Sequence, residues 1–346
     1  MRVYSSALVF FGSLLPELCL CQSIPSVLKE GLANEFHFSA EDFAKVESGQ
    51  AVAHMVPTGR PDDVRMAGIV LIRIPSEAFV NAFRDIEHFE ISKDVIQTKR
   101  FSEPPVESDL ADFRVNNLKK SEILACRPGR CSYKLPAEAM TALQTSIDWN
   151  APDAMAKAEA FIHRRLIAYL ANYRLNGDPT LAIYYDTESP YSVAEGLRSI
   201  IGSETRLAKA VPDLIRFASE YPANRPANTE DFFYWQEAAF GLKHVFRAQH
   251  VVIQRLPGSG QAHYAIISKM LFATHYFRTA LEFKSVYPVR TSSGQPAIYL
   301  VTAQRSFIDG LTGAKGAILR KIAENRSPAS LVENLQLAKA KLEHRQ

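Results

Sequence analysis

The chain has few cysteines, few tryptophans and no concentration of charge of one sign. It contains 4 Cys, 2 Trp and 16 Gly among 346 residues, and its formal net charge is +3. So few cysteines exclude a scaffold held together mainly by disulfides. Basic residues are spread along the chain without a long block, so we expect no nucleic-acid partner. No repeat of solenoid period is visible, which argues against a repeat architecture.

Motifs for cofactors are also missing. Gly310, Gly313 and Gly316 are regularly spaced, but the lysine and hydroxyl residue that end a phosphate loop do not follow the last glycine. His244, His250, His263 and His275 lie close in sequence, yet His244 and His250 are too far apart on one strand to share an ion. We therefore expect no cofactor and no metal site.

The composition is that of a globular protein. Hydrophobic residues make up 47% of the chain and charged residues 22%, which is enough apolar material for a sizeable core. A length of 346 residues predicts one elaborated domain or two.

The first 21 residues have the pattern of a secretory signal. Arg2 precedes a short apolar run, and Pro16 and Glu17 end that run too early for a membrane-spanning helix. We predict cleavage after Cys21. A lipid anchor on Cys21 is the alternative, but Leu20 is large for the residue before such a cysteine. We expect a secreted or periplasmic protein with no stable transmembrane segment after signal cleavage.

The two cysteines that would remain flank a turn. Cys126 and Cys131 enclose Pro128-Gly129, a strong turn pair that brings its flanking residues together. In an oxidising compartment this arrangement predicts a disulfide. Two cysteines without a nearby histidine make a poor zinc site, and their spacing differs from that of thiol oxidoreductases.

The order of elements predicts an α+β fold. Residues 50–56 and 64–74 form a predicted hairpin, and a helix follows Pro75. Strands return from residue 232, and the stretch 263–287 is long enough to predict a break near 274–278. Ser327-Pro328 predicts the start of a terminal amphipathic helix. We divide the chain into a signal peptide (1–21), an N-terminal part (22–135), a helical insertion (136–222) and a part with the C-terminal strands and closing helix (223–346).

Two segments resemble a known superfamily. Residues 68–85, Gly-Ile-Val-Leu-Ile-Arg-Ile-Pro-Ser-Glu-Ala-Phe-Val-Asn-Ala-Phe-Arg-Asp, and the helix that ends at Leu335–Glu343 are similar to the helix-grip arrangement of the START and polyketide-cyclase superfamily. The resemblance implies a curved antiparallel sheet gripped by a long C-terminal helix. It also implies an apolar cavity for lipids, sterols or polyketide-like molecules. The helical block 136–222 departs from that pattern. The superfamily has no fixed catalytic set, so no catalytic residue is carried over.

Aromatic strand residues are the candidates for the cavity wall. On 281–287, Leu281, Phe283 and Tyr287 alternate with Glu282, Lys284 and Val286, and we assign the aromatic side to the cavity. The complete set of cavity candidates is Phe272, Tyr276, Phe283, Tyr287, Tyr299, Leu311, Ile318 and Ile322. The alternative is that these side chains simply fill the core.

Polar candidates on the same strands are His250, Lys269, His275 and Arg278. A hydrolase could draw acid and base groups from them, but no Gly-x-Ser-x-Gly elbow occurs. Ser268 and Lys269 are adjacent on a strand and therefore point to opposite faces. The catalytic residues, if any, are unknown, and we favour binding of an apolar or amphipathic, lipid-like molecule without catalysis. A secreted hydrolase of unknown substrate and an envelope protein-interaction module are the alternatives.

Overall fold

The structure is a computed structural model. It describes residues 23–90, 94–114, 119–204, 209–239, 243–257, 262–310 and 313–344, and within 313–326 only the backbone. The predicted signal peptide lies outside the described residues. The fold is α+β, with a large antiparallel sheet and several helices.

Within the described residues, eight strands form the large sheet and two short strands form a separate ribbon. In chain order the strands are β1 Val52–Val56, β2 Asp63–Ile72, β3 Val95–Arg100, β4 Ile183–Tyr184, β5 Tyr191–Ser192, β6 Thr229–Ala239, β7 His244–Arg255, β8 Tyr264–Ala273, β9 Phe277–Arg290 and β10 Pro296–Ile308. The large sheet has the order β1-β2-β10-β9-β8-β7-β6-β3, and every pair in it is antiparallel.

The helices lie before, between and after the strands. They are α1 Ser26–Phe36, α2 Ala40–Glu47, α3 Ser76–Arg84, α4 Ile86–Phe89, α5 Lys120–Ala125, α6 Ala137–Thr145, α7 Ala154–Asn176, α8 Val193–Ser203, α9 Pro212–Glu220 and α10 Gly313–His344. The described part of the chain also has two 3₁₀ turns, Glu107–Leu110 between β3 and α5 and Asp178–Thr180 between α7 and β4.

Local sequence signals account for several boundaries. β1 and β2 pair as the predicted hairpin. The predicted break in the stretch 263–287 is also confirmed, because the β8–β9 turn occupies 274–276 and Tyr276 there has a left-handed φ of 60°. The predicted helix start at Ser327 is wrong: α10 begins at Gly313 and runs through Pro328. Leu331 and Leu335 of α10 are buried in one core with the sheet, and that packing outweighs the backbone hydrogen bond that proline removes.

Each face of the sheet is covered by a different part of the chain. The inner face packs against α3, α4 and α10, and its core joins Val70, Val286 and Leu300 to Phe83 of α3. The outer face packs against α1 and α2 at the β2–β10 side. At the β6–β8 side the outer face packs against α7, α8 and α9, which belong to the segment between β3 and β6. Helices therefore pack on both faces of the sheet.

That intervening segment also holds a small core of its own. α5, α6 and the beginning of α7 bury Ile123, Met140, Leu143 and Trp149 together with Cys126. The predicted disulfide Cys126–Cys131 is present and closes the turn between them. Next to it, the backbone N–H of Lys134 donates to Thr274 O in the β8–β9 turn at 3.0 Å. In the described part of the chain, no helix has both the length and the apolar character required to cross a membrane.

Candidate ligand site at the inner face

A row of polar side chains crosses the inner face. Residues directly opposite one another in an antiparallel pair lie on the same face. Gln304, Glu282 and Ser268 are opposite one another on β10, β9 and β8. Thr302 and Lys284 form the neighbouring row. The polar groups thus lie on the same face as the apolar core under α3 and α10.

Hydrogen bonds connect these groups into one cluster. Gln304 Nε2 donates to Glu282 Oε1 at 2.6 Å, and Lys284 forms an ion pair with the other oxygen of Glu282. Closer to β3, Arg247 donates to Gln236 Oε1, and Gln236 Nε2 lies 3.4 Å from Thr98 Oγ1. We call this cluster the polar band; it comprises Glu90, Gln236, Arg247, Glu282, Lys284, Thr302 and Gln304.

Burial changes the acid–base properties of the band. It raises the pKa of the Glu90 carboxyl, and the nearby Lys284 partly opposes that effect. It also lowers the pKa of Arg247 and raises that of the Tyr234 hydroxyl well above its ordinary value. Thr302 is 2% exposed, and its hydroxyl has no hydrogen-bond partner among the described residues. An uncompensated buried hydroxyl costs free energy unless another molecule satisfies it.

The band is partly accessible, unlike the core beside it. Glu90, Arg247, Glu282 and Gln304 are half-buried, and the side chain of Glu282 retains 21% exposure. A second group of partly accessible side chains is apolar. Tyr276, Phe277 and Ala280 are half-buried and pack on a small cluster of Val245, Met270 and Ala273. We call these six residues the apolar rim. Arg247 joins the band to the rim, because its guanidinium lies 5.5 Å from the centre of the Phe277 ring.

The helix α10 approaches the sheet closely beside the band. Gly68 lies opposite Thr302, and a Cβ at this glycine would be 2.7 Å from Leu335 Cδ1. Lys339 Nζ donates to Leu71 O at 2.6 Å, and the backbone N–H of Arg73 donates to Glu343 Oε1 at 2.8 Å. Lys284, on the other side, lies 5.6 Å from the centre of the Phe83 ring of α3. The polar band therefore lies between the two helical covers of the inner face.

The aromatic cavity candidates are divided between several places. Phe283, Tyr287 and Tyr299 lie on the outer face, where they pack on the cores formed with the inserted helices or with α1 and α2. Phe272 contacts the rings of Tyr169 and Tyr184, which belong to the inserted segment. Tyr276 belongs to the apolar rim. Leu311 and the side chains of Ile318 and Ile322 lie outside the described residues. The ligand role of all these residues stays a prediction.

The polar candidates are each held by protein partners. His250 is fully buried on the outer face, with Nδ1 3.0 Å from Tyr173 Oη and Nε2 3.1 Å from Asp231 Oδ2. Lys269, also fully buried, donates to Asp178 and to Ala218 O. The structure does not bring these two residues together with the polar band, because they belong to the opposite face.

His275 and Arg278 lie at the β8–β9 turn. His275 is 5% exposed and packs against the ring of Tyr133, next to the disulfide. Arg278 forms ion pairs with Asp62 and Asp309. His275 thus joins the inserted segment to the turn, and Arg278 joins the turn to the ends of neighbouring strands. These contacts are structural ones.

The inner face places several kinds of polar group beside an apolar surface. Among the described residues, no group of three or more His, Cys, Asp and Glu could hold a metal ion. The band instead offers two carboxyl groups, two cations, two amides and a hydroxyl beside an apolar surface. A few polar groups on an apolar wall are what a small-molecule site requires for orientation.

Comparisons with known proteins give limited matches. A scan against protein-family models finds no match, and a search of curated proteins finds none either. Among solved structures, the chain is similar to a START superfamily protein from Mycobacterium smegmatis, with 15% identity, a TM-score of 0.23 and coverage of 44% of this chain and 92% of that chain. It is also similar to norcoclaurine synthase from Thalictrum flavum in complex with dopamine and hydroxybenzaldehyde, with 13% identity, a TM-score of 0.22 and coverage of 44% and 81%.

Proposed function

We propose that this protein binds an apolar or amphipathic, lipid-like small molecule at the inner face of its sheet, without catalysing a reaction on it. The ligand would lie between the sheet and α10, with its apolar part on the apolar rim and its polar part at the polar band. In this proposal α10 grips the sheet as the resemblance in the sequence implies. The protein would be exported, which agrees with the signal-like N-terminus and with the disulfide.

One observation carries the proposal. The inner face combines a tightly packed apolar core with a polar band in which four side chains are half-buried and three are buried. One of the buried groups, the hydroxyl Thr302 Oγ1, has no partner among the described residues. A polar cluster at such a place destabilises a core unless it serves another purpose. The order of elements also supports the proposal, since α3 and α4 follow β2 and α10 follows β10, so helices from the early and the late part of the chain cover the same face.

Native mass spectrometry of protein purified from its own host tests the proposal. We expect an adduct in the mass range of lipids, and uptake of a fluorescent fatty acid by the protein after the adduct is removed. Ala280→Trp places a bulky ring on the half-buried apolar rim and should reduce uptake strongly. Arg290→Trp introduces the same ring at the exposed end of the same strand and should leave uptake unchanged.

The outcome that overturns the proposal is simple. A wild-type protein with neither an adduct nor uptake of the fatty acid does not bind lipid-like molecules at any face. Equal loss of uptake in both tryptophan variants, with both still folded by circular dichroism, would place binding away from the rim.

A further inference from the structure

One edge of the large sheet is only partly protected. β3 forms this edge and pairs with residues 234–238 of β6. α4 lies beside β3, and Glu87 Oε1 accepts the backbone N–H of Arg100 there at 3.0 Å. β6 begins at Thr229, so its first residues lie beyond the end of β3. An unprotected strand edge is the place where a sheet most readily adds another chain.

The chain turns away from β6 directly after β3. The backbone N–H of Phe101 still donates to Phe233 O at 2.9 Å. Ser102 bonds to Asp109 instead, with its N–H 3.0 Å from Oδ2 and its hydroxyl 2.6 Å from Oδ1. In the described part of the chain, no strand therefore continues the line of β3 beside Asp231.

The backbone of Asp231 faces the place beyond the end of β3. In a strand the N–H and C=O of one residue point to the same side, and those of every second residue do so too. Since Phe233 O faces β3, the N–H and C=O of Asp231 point the same way. Thr229 O agrees with this direction, because it accepts from Arg225 Nη2 at 3.3 Å. A peptide backbone offers the matching acceptor and donor at the spacing of a strand.

A cavity of about 240 Å³ lies at this place, and Asp231 is part of its wall. Phe101 and Arg174 line it on the side of the outer face. Arg100 and Phe232 line it on the side of the inner face, with the Arg100 guanidinium 4.2 Å from the centre of the Phe232 ring. We call this cavity the edge notch. Sites for drug-sized molecules measure about 300–1,000 Å³, so the edge notch has room only for the end of a chain.

Arg225 determines which end of a chain fits. A strand added in line with β3 runs antiparallel to β6, so its carboxyl end points toward Thr229 and Arg225. Arg225 uses Nε and Nη2 for Thr229 O and for its ion pair with Asp231, and its side chain is 49% exposed. The ion pair holds the guanidinium in position, and its remaining N–H groups can donate to a second carboxylate.

We infer that the edge notch binds the carboxyl-terminal end of an extended peptide, which adds to β6 in line with β3. One residue of the peptide exchanges two backbone hydrogen bonds with Asp231, and the terminal carboxylate binds Arg225. The partner is therefore a protein or peptide with a free, extended carboxyl end. This site lies at the edge of the sheet, and the lipid site proposed at the inner face does not depend on it.

Two libraries of random N-acetyl tetrapeptides test the inference, one with a free terminal carboxylate and one amidated. Affinity-selection mass spectrometry identifies the peptides that bind, and calorimetry measures their affinities. We expect free-acid peptides that bind at least about tenfold more tightly than their amides. Arg225→Gln should bring the two affinities within about twofold of each other. Arg216→Gln, at an exposed arginine that is also paired with an aspartate, should behave as wild type.

Methylation of each backbone nitrogen of the best peptide, one at a time, tests the strand pairing. At one of the last two residues it should weaken binding at least about tenfold, because that N–H donates to Asp231 O. At the first residue it should change the affinity by less than about twofold, since that residue lies outside the edge notch. In hydrogen exchange, the amide of Asp231 should become protected when the peptide binds.

Each contrary outcome overturns the inference and leaves lipid binding at the inner face standing. Selection of no peptide from either library would mean that the edge notch is not a peptide site. Equal affinities for acids and amides would mean that the carboxyl end is not recognised. A preference that persists in a folded Arg225→Gln protein would place binding elsewhere. Should Arg225→Gln not fold, the methylated peptides and the exchange of the Asp231 amide in wild type still decide.

Discussion

The two faces of the sheet each bury a lysine, and they do so in different ways. Lys269 on the outer face is fully buried, and it donates to Asp178 and to the carbonyl of Ala218, both supplied by the inserted segment. Lys284 on the inner face pairs with Glu282 from its own strand, and Glu282 remains 21% exposed. Lys269 is therefore held by partners outside the sheet, whereas Lys284 is held by a partner within the sheet.

The other polar groups of the two faces differ in the same way. On the outer face buried polar groups have partners from the inserted helices and from the sheet itself, as His250 has with Tyr173 of α7 and Asp231 of β6. On the inner face the polar groups bond mainly to one another and keep accessible surface. Polar groups that are already satisfied by protein leave little for a ligand to bind, so this difference agrees with the site proposed at the inner face.

The largest expected effect comes from removing the two lysines. Lys269→Met leaves Asp178 as an uncompensated, largely buried carboxylate, and we expect a loss of about 3–5 kcal/mol in the free energy of unfolding. Lys284→Met should cost about 1 kcal/mol, because Glu282 keeps Gln304 and some contact with water. Urea unfolding of both variants measures the two values. Equal losses would contradict the distinction between the faces.

Glycines at the two helix contacts give a smaller effect. A Cβ at Gly196 of α8 would lie 2.1 Å from Tyr191 Oη, and one at Gly68 would lie 2.7 Å from Leu335 Cδ1. We expect Gly196→Ala to cost about 2–3 kcal/mol and Gly68→Ala about 1 kcal/mol, since the end of a leucine side chain can move more easily than a rigid tyrosine ring. Thermal unfolding checks both values.

The control for Gly196→Ala lies in the same helix, α8. A Cβ at Gly202 meets nothing within 4 Å, so Gly202→Ala should be neutral or stabilise α8 by up to about 1 kcal/mol. A comparable loss in Gly196→Ala and Gly202→Ala would mean that α8 tolerates no change, whatever the space around it.

We expect a fall in pH to destabilise the outer face and the β8–β9 turn more than the inner core. Burial lowers the pKa of His250, and it lowers the pKa of His275 to about 4. A histidine with a folded pKa below its unfolded value of about 6.5 stabilises the protein above that pH, and this contribution is lost as the pH falls toward the folded pKa. The groups that face these histidines are Asp231, Tyr173, Tyr221, Lys269 and Asp178 for His250, and Lys243, Glu122, Lys134 and Tyr133 for His275.

Hydrogen exchange between pH 7.5 and 4.5 measures this effect. We expect protection to decrease first in β7, β8 and the β8–β9 turn, and later in β2 and β10 at the inner core. In His275→Asn the turn should no longer respond to pH. A uniform decrease over the whole sheet would contradict a local effect of the two histidines.

Much of the fold was predictable because its signals are local. The capping box between Ser39 and Asp42, the hairpin of β1 and β2 and the turn around Pro128-Gly129 each depend on a few adjacent residues. The alternation on β9 was also read correctly, since Leu281 and Phe283 lie on one face and Glu282 and Lys284 on the other.

The assignment of those faces was beyond the sequence. An aromatic row next to a polar row predicts a buried and an accessible side, but here the inserted segment covers the aromatic side and α10 covers the polar one. Which long-range element lies on which face is decided by tertiary packing, which the period of a strand does not encode. Arg247 and Glu90 were missed for the same reason: they are far apart in sequence, and only the fold brings them together.

The strand order has a consequence for how the chain folds during its synthesis. β2, whose residues are mostly buried, is hydrogen-bonded on one side to β10, which follows it by about 230 residues. Until β10 has been synthesised, β2 and its hairpin partner present an apolar strand with an unpaired edge, the feature that most readily joins other chains. The helical block and the remaining strands are completed before that edge is closed. Productive folding of this protein therefore depends on preventing β2 from pairing with other chains until β10, which lies in the last sixth of the chain, has been synthesised.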